Sequence, residues 1–336
     1  DSLKNIHPVQ DVSTVQGCLE IIFNLEQILN KITGMHSSTL QLSAGSQGEF
    51  AGILVMSKYH EIKKNNKTDI IIPESAHGTN PSSVVLGGYN PIKVGTDSQG
   101  RVDLEDLKSK VNDRTAGMML TQPNTLGLFE HEIENISQII HDVDGLMYMD
   151  GANLNALLGI VRPADMGFDI THINLHKTFS TPHGGGGPGA GPIAVVEKLS
   201  DFLPIPRVVK NNNRFELLTK KTNSIGRLHS FFGNFLVLVR AYCYILSLGD
   251  SGLERMSKIA IINANYLKSK LKDKYDIPFQ NGTMHEFVIS AVNQKNRGAK
   301  ALDIAKSLLD FGYHSPTIYF PINIPESIMI EPTESE

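Results

Sequence analysis

Cysteine is nearly absent from this chain. Two thiols, Cys18 and Cys243, stand far apart among 336 residues and form no metal-type spacing. A fold that does without disulfides, in a reducing compartment, is the expectation. An excess of charge is also missing. The 31 basic residues are balanced by 35 acidic ones, the net charge is −4, and no basic block interrupts the balance. That excludes the electrostatic footprint of a nucleic-acid binder. Residues 1–20 are mixed and polar, without the apolar core of a secretory signal, so the expected location is the cytoplasm. The most membrane-like run, 231–248, is broken by Gly233, Asn234 and Arg240, which predicts a buried helix rather than a span and no membrane partner. None of the twelve histidines forms a His-x-x-x-His pair with a helical acid, and no metal centre is expected. A Gly-x-Ser-x-Gly elbow, a Walker loop and a dinucleotide fingerprint are likewise lacking.

What is there is an alternation. Residues 11–33 read as one helix, with Val15, Leu19, Ile22, Leu25, Leu29 and Ile32 on one face and Gly34 as its stop. A second helix follows Ala44-Gly45-Ser46. Strands are predicted at 69–73, 116–122, 145–150, 168–175 and 192–196, and helices at 103–111 and 130–143. Strands alternating with helices predict an α/β fold with a mostly parallel sheet covered on both faces. Residues 201–225, rich in Pro and Asn, read as a linker or excursion. Beyond it come helical patterns at 228–248 and 252–272, a strand at 286–292 and a helix at 299–311. The expected division is a large domain over 1–210 and a smaller α+β domain over 211–336. The chain opens at Asp1 without a methionine and stops at Glu336, so it reads as a piece of a longer protein.

The chemistry centres on Lys177, in the run His172-Ile173-Asn174-Leu175-His176-Lys177-Thr178-Phe179. Twenty-seven residues upstream, Asp150 ends the apolar run Leu146-Met147-Tyr148-Met149 and opens Gly151-Ala152-Asn153. A lysine in an apolar setting, with an acid at a strand end, is what pyridoxal phosphate (PLP) requires. The amine forms a Schiff base with the cofactor aldehyde and the carboxylate keeps the ring nitrogen protonated. Burial would lower the lysine's proton affinity and leave a neutral nucleophile. Ala152 is small enough to pack beneath the ring. Gly45, Ser46 and Gln47 open a helix and offer N–H groups and a helix dipole to the phosphate. His77, in Ser75-Ala76-His77-Gly78-Thr79-Asn80-Pro81, is placed to lie on the ring. Asn124, in the loop 121–127, is a donor for the phenolate oxygen. Each has a plainer reading: a surface lysine, two helix caps, a loop histidine and an ordinary turn. The tract 183–192 holds six glycines in ten residues and suggests a loop that wraps the site or admits a long substrate arm.

These stretches resemble the P-protein family of the glycine cleavage system, in particular the second subunit of its two-subunit bacterial form. The resemblance rests on 75–81, on 150–156, on 174–192 and on the tail at 310–321 and 329–334, and it covers nearly the whole chain. It departs at Ala44-Gly45-Ser46, where Gly-Ala is more usual, and at both chain ends. It implies a fold-type I PLP-dependent transferase with PLP covalent on Lys177. Asp150 would hold the ring nitrogen, His77 would stack on the ring, and His176 would join the cofactor set. The implied reaction decarboxylates glycine and transfers its aminomethyl group to the lipoyl arm of H-protein. The implied assembly is α2β2, with the first subunit as partner. The competing expectations are another fold-type I enzyme, such as a group II amino-acid decarboxylase or a serine hydroxymethyltransferase, and a non-catalytic binding subunit.

Overall fold

The computed structural model describes residues 6–7, 10–183 and 189–335. Helix α1 (Gln16–Thr33) buries Leu19, Ile22, Leu25 and Leu29, and Gly34, at φ 71°, ends it. The expected start at 11 is instead a single 3-10 turn, Val12–Thr14, capped by the Asp11 side chain. Strand β1 (Ser37–Thr39) and helix α2 (Gly45–Lys63) follow, then β2 (Asp69–Pro73), α3 (Thr79–Leu86) and β3 (Asn90–Val94). Next come α4 (Leu104–Lys110), β4 (Thr115–Thr121), α5 (Ile133–Asp142), β5 (Leu146–Gly151) and β6 (Ile170–Ile173). The strand expected through residue 175 stops early. Leu175 starts the single turn of α6 (Leu175–Thr178), which leads to β7 (Ile193–Val195).

These strands form one seven-stranded sheet in the order β1-β7-β6-β5-β4-β2-β3. β3, β2, β4, β5 and β6 are parallel, and β7 runs antiparallel to β6 and to β1. The central strands read as unbroken apolar runs because both faces are covered. Alternation assigns their side chains. Ile71, Met147 and Met149 join the core beneath α1 and α5; Ile70, Ile72, Tyr148 and Ile170 join the core beneath α2. Thus one face of β5 carries Leu146, Tyr148 and Asp150 toward α2.

The stretch 201–225 is more than a linker. It holds a hairpin, β8 (Arg207–Asn211) with β9 (Arg214–Leu218), whose Val208 and Phe215 pack into the α1-side core. The two helices expected at 228–248 and 252–272 are one, α7 (Phe235–Leu271), kinked at Gly249. By length and composition α7 is apolar enough to cross a membrane. Val237, Leu238, Ala241 and Ile245 are buried, whereas Leu236 and Leu246 are exposed, so the expected buried helix is buried on one face. The remaining chain forms β10 (Phe287–Ser290), α8 (Val292–Lys295), α9 (Ala301–Asp310), β11 (Thr317–Ile318) and β12 (Ser327–Ile330). Its three strands pair in the order β10-β12-β11 around a smaller C-terminal core.

Candidate active site

The carboxyl ends of β4, β5 and β6, the start of α2 and the turn of α6 converge, which is where open α/β sheets bind ligands. Asp150, the penultimate residue of β5, is buried. It accepts hydrogen bonds from the Asn80 side-chain amide (3.1 Å) and the Ala152 N–H (3.0 Å), and His172 Nε2 lies 3.3 Å away. Burial by itself would push this carboxyl up. The facing His172, the two N–H donors and the charge of Lys177 outweigh it and hold Asp150 below the usual carboxylate range. An ionised acid therefore waits at the end of β5.

Lys177 is exposed, contrary to the buried amine expected, because it lies on the outer side of α6 while Leu175 and Thr178 point inward. His176, beside it, is pushed down to about 4 by burial and by the neighbouring His183 and Lys177, so its imidazole is neutral at pH 7. Its Nδ1 accepts from the Ala190 N–H (3.4 Å). Residues 184–188 of the glycine tract lie outside the described residues. Its far end returns to the start of α2, where the Gly191 N–H donates to the Leu42 carbonyl (2.9 Å).

Helix α2 begins without a side-chain cap, leaving Gly45 and Ser46 N–H groups for an anion. The Gln47 amide oxygen accepts from Ser43 N–H and hydroxyl (2.9 and 3.0 Å), which orients the side chain along the approach to the helix. A Cβ on Gly45 would meet Asn174 Oδ1 at 2.3 Å, which sets this helix start against the α6 turn. His77 is exposed at the head of α3; its Nδ1 lies 2.8 Å from Thr79 Oγ1 and its ring meets Phe320 edge-on at 5.6 Å. Asn124 is buried and tied to protein groups. Its amide donates to the Gly100 carbonyl of a separate loop, and its carbonyl accepts from the Leu126 and Leu128 N–H groups of its own turn.

The residues present fit PLP. Around the convergence, Asn80 Oδ1, Thr121 Oγ1, Asn174 Oδ1 and Thr178 Oγ1 are buried without a partner among the described residues, which is costly unless a polar ligand engages them. Sequence reasoning missed a second group. His285 and Glu286, leading into β10, are buried beside Asn153, whose amide donates to Glu286 Oε1 at 3.0 Å. Burial and the neighbouring Glu331 carboxylate push the Glu286 carboxyl well above its ordinary value. Nothing in local spacing signals this, because the small core swings it in from 133 residues away. Glu49, Asp150 and His172 also place ligand-type atoms within 4.8 Å of one another, a grouping that helix spacing does not reveal. Glu49 accepts from Thr79 and Ser83 hydroxyls (2.8 and 3.1 Å), and His172 is engaged on both nitrogens.

Comparison with known proteins decides the lineage. The family model "Glycine cleavage system P-protein" matches residues 7–213 and "Glycine dehydrogenase, C-terminal domain" matches 256–336. The chain belongs to the P-protein family. A "probable glycine dehydrogenase (decarboxylating) subunit 2" from Prosthecochloris aestuarii is 53% identical over 337 residues, covering 99% of this chain and 69% of that protein. Its counterpart in Staphylococcus epidermidis is 53% identical over 331 residues, covering 98% and 66%. The chain thus spans about two thirds of the length of these P-protein relatives. Among solved structures, an inhibitor-bound glycine decarboxylase (P-protein) superposes with TM-score 0.82 at 16% identity, covering 100% of this chain and 76% of that one. A Lactobacillus brevis glutamate decarboxylase superposes with TM-score 0.74 at 13% identity, covering 98% and 78%. These likenesses establish the fold-type I architecture.

Proposed function

We propose that this chain is the PLP-bearing half of glycine dehydrogenase (decarboxylating), working in the glycine cleavage system. The observation that carries the reading is the ionised, buried Asp150 facing the same convergence as the Lys177 amine and the uncapped start of α2. Lys177 would hold the cofactor covalently, Asp150 would pair with its ring nitrogen, Gly45 and Ser46 would anchor its phosphate, and His77 would lie against it. Ala152 and His176 complete the set. Bound there, PLP supplies the electron-withdrawing ring that stabilises the charge left on the substrate carbon as the carboxylate departs as carbon dioxide.

The chain's own residues do the rest. Asp150 keeps a fixed negative charge where the ring nitrogen must stay cationic. Neutral His176 leaves the Lys177 amine without a second cation beside it. Glu286, its carboxyl raised by burial and Glu331 against the opposing pull of Lys177, is a candidate proton-holding group on the side of the small core. The partners are glycine, the lipoylated H-protein and the first subunit in an α2β2 assembly. Glycine's C–C bond breaks to release carbon dioxide and its carbon bonds one sulfur of the lipoyl disulfide; the other sulfur leaves as the thiol. The two thiols, Cys18 and Cys243, are free, which suits a reducing, cytoplasmic setting.

The test is exchange of labelled bicarbonate into glycine by the chain with its first subunit and H-protein. Exchange is expected, and Lys177→Ala lowers it at least about a thousandfold, as removal of a covalent catalytic group does. Borohydride reduction is expected to leave a cofactor mass adduct on the Lys177 peptide. An active assembly with its adduct on another lysine overturns the assignment.

A further inference from the structure

Asp150 ends a buried row of three polar side chains, joined by one hydrogen bond and one close charged contact. The Tyr148 hydroxyl lies 2.7 Å from His172 Nδ1, and His172 Nε2 lies 3.3 Å from Asp150 Oδ1. Tyr148 is fully buried, and His172 and Asp150 nearly so. Strand geometry assembles them. Asp150 pairs with His172 across the parallel β5–β6 ladder, and Tyr148, two residues back on the same face, pairs with Ile170. A long side chain reaches the diagonal neighbour on its own face. The Tyr148 and His172 rings then stack at 6.0 Å between centroids, 29° apart.

Helix α2 makes room for this stack. A Cβ on Gly52 would fall 2.2 Å from Tyr148 Cε2, and one on Gly48 would fall 2.9 Å from His172 Cβ. Two glycines inside a helix cost about 1 kcal/mol each relative to alanine. Helix stability is given up where the pair needs space. The same face carries Glu49, whose negative charge, with that of Asp150 and on top of burial, pushes the Tyr148 phenol well above its ordinary value. The phenol therefore stays protonated and donates. With Nδ1 accepting, the imidazole N–H is on Nε2, the nitrogen that lies 3.3 Å from Asp150 Oδ1. The opposite tautomer would set an imidazole lone pair against a carboxylate oxygen at 3.3 Å, in a buried site where such repulsion is barely screened. A metal reading of Glu49, Asp150 and His172 fares worse, because each of these groups already has a protein partner.

We propose that Tyr148 and His172 are positioning residues that fix the imidazole proton on Nε2, so that Asp150 stays an anionic acceptor aimed at the ring nitrogen of PLP. Their action runs through Asp150 and touches neither substrate nor the reacting carbon. Without the phenol, the Asp150 charge alone opposes a shift of the imidazole proton to Nδ1, a shift after which Asp150 keeps its contact only by taking up a proton. A neutral Asp150 no longer demands a cationic ring nitrogen.

This inference rests on the PLP reading, and its test separates the two. The chain, assembled with its first subunit, is titrated with PLP and with 1-deaza-PLP, which carries C–H in place of the ring nitrogen. Native protein is expected to prefer PLP. Tyr148→Phe is expected to narrow that preference about tenfold, the worth of one charge-assisted hydrogen bond. His172→Gln, which keeps an amide donor at the place of Nε2, should retain the preference, and His172→Leu should lose it. In the His172→Gln background, Tyr148→Phe should add nothing, since no tautomer remains to be fixed. Native protein that binds neither compound overturns the cofactor reading itself. A Tyr148→Phe protein that keeps the native preference, or that loses affinity for both compounds equally, overturns the relay. Should Tyr148→Phe fail to fold, the Gln and Leu variants at 172 decide: equal preferences in the two sink the proposal.

Discussion

Glu26 lies in the middle of α1 with its carboxyl wholly buried, and Oε1 has no hydrogen-bond partner. Burial pushes it up to about 8, against the opposing pull of Arg207 and the Leu40 N–H. Its folded-state value is above its unfolded one, so between about pH 4.5 and 8 the folded chain binds more protons than the unfolded chain. Its contribution to stability is therefore complete below pH 4.5 and is lost as pH rises toward 8. Glu26→Gln keeps the shape and removes the titration. Denaturant melts are expected to show the variant gaining on the native chain by roughly 3 kcal/mol at pH 7, at about 1.4 kcal/mol per pH unit, and by little at pH 4.5. A gain that does not change with pH would show that the carboxyl is not the titrating group. The same scale separates what was legible in the sequence from what was not. Asp150 and Lys177 stood out because an acid at a strand end and a lysine before a glycine tract are local patterns. His172 and Tyr148 lay in the same quoted runs without a role, since their meaning depends on the register of β5 against β6.

Element by element, legibility followed local punctuation. α5, β2, β4 and β5 carry strong periodicity or continuous apolar runs, α2 is marked by its small-residue start, and all fell within a few residues of expectation. α3 was missed because Pro81 sits in its first turn, where proline is well tolerated, inside a stretch otherwise read as loop. β3 was missed because Pro91 demotes a strand pattern, yet β3 is the sheet's edge strand, where a missing N–H costs least. The β8–β9 hairpin hid behind its own turn, in which Asn212 adopts φ 53°, as tight hairpin turns favour. Two glycines test helix design from opposite directions. Gly52 is required for space, and Gly52→Ala drives a methyl into the buried Tyr148 ring, with an expected cost of about 1–3 kcal/mol. Gly249 has open space around it but adopts φ 64° at the α7 kink, so Gly249→Ala should cost about 1–2 kcal/mol through backbone strain alone. Thermal melts of Gly52→Ala combined with Tyr148→Leu separate the two causes. The second substitution should restore much of the loss at 52 and none of the loss at 249.

At the scale of the whole chain, we propose two units, a larger cofactor-binding one and a smaller C-terminal one, with the passage between them inside α7 rather than at residue 210. β8 and β9 pair across that position, and Gln16 grips the Phe215 backbone in both directions (2.8 and 2.9 Å), tying the hairpin to α1. Along α7, residues up to Met256 join the large core, whereas Ala264 belongs to the small one with Phe287, Ile289 and Ile328. The small unit depends on its last strand. β12 is central in its three-stranded sheet, it buries Ile328, and Glu331 just beyond it meets the Asn155 amide at 3.3 Å. Ending the chain at Glu326 removes that strand, a buried isoleucine worth about 2 kcal/mol among its losses, and exposes the β10 edge. Limited proteolysis of the shortened chain is expected to cut within 272–316 at least about tenfold faster than in the full chain, a change that some 1.4 kcal/mol of lost local stability produces. The fragment holding the seven-stranded sheet should survive at its former rate, because its cores lie on the other side of the passage. Equal acceleration in both regions would mean that α7 couples the two cores into one cooperative body, and the proposed division would then fail.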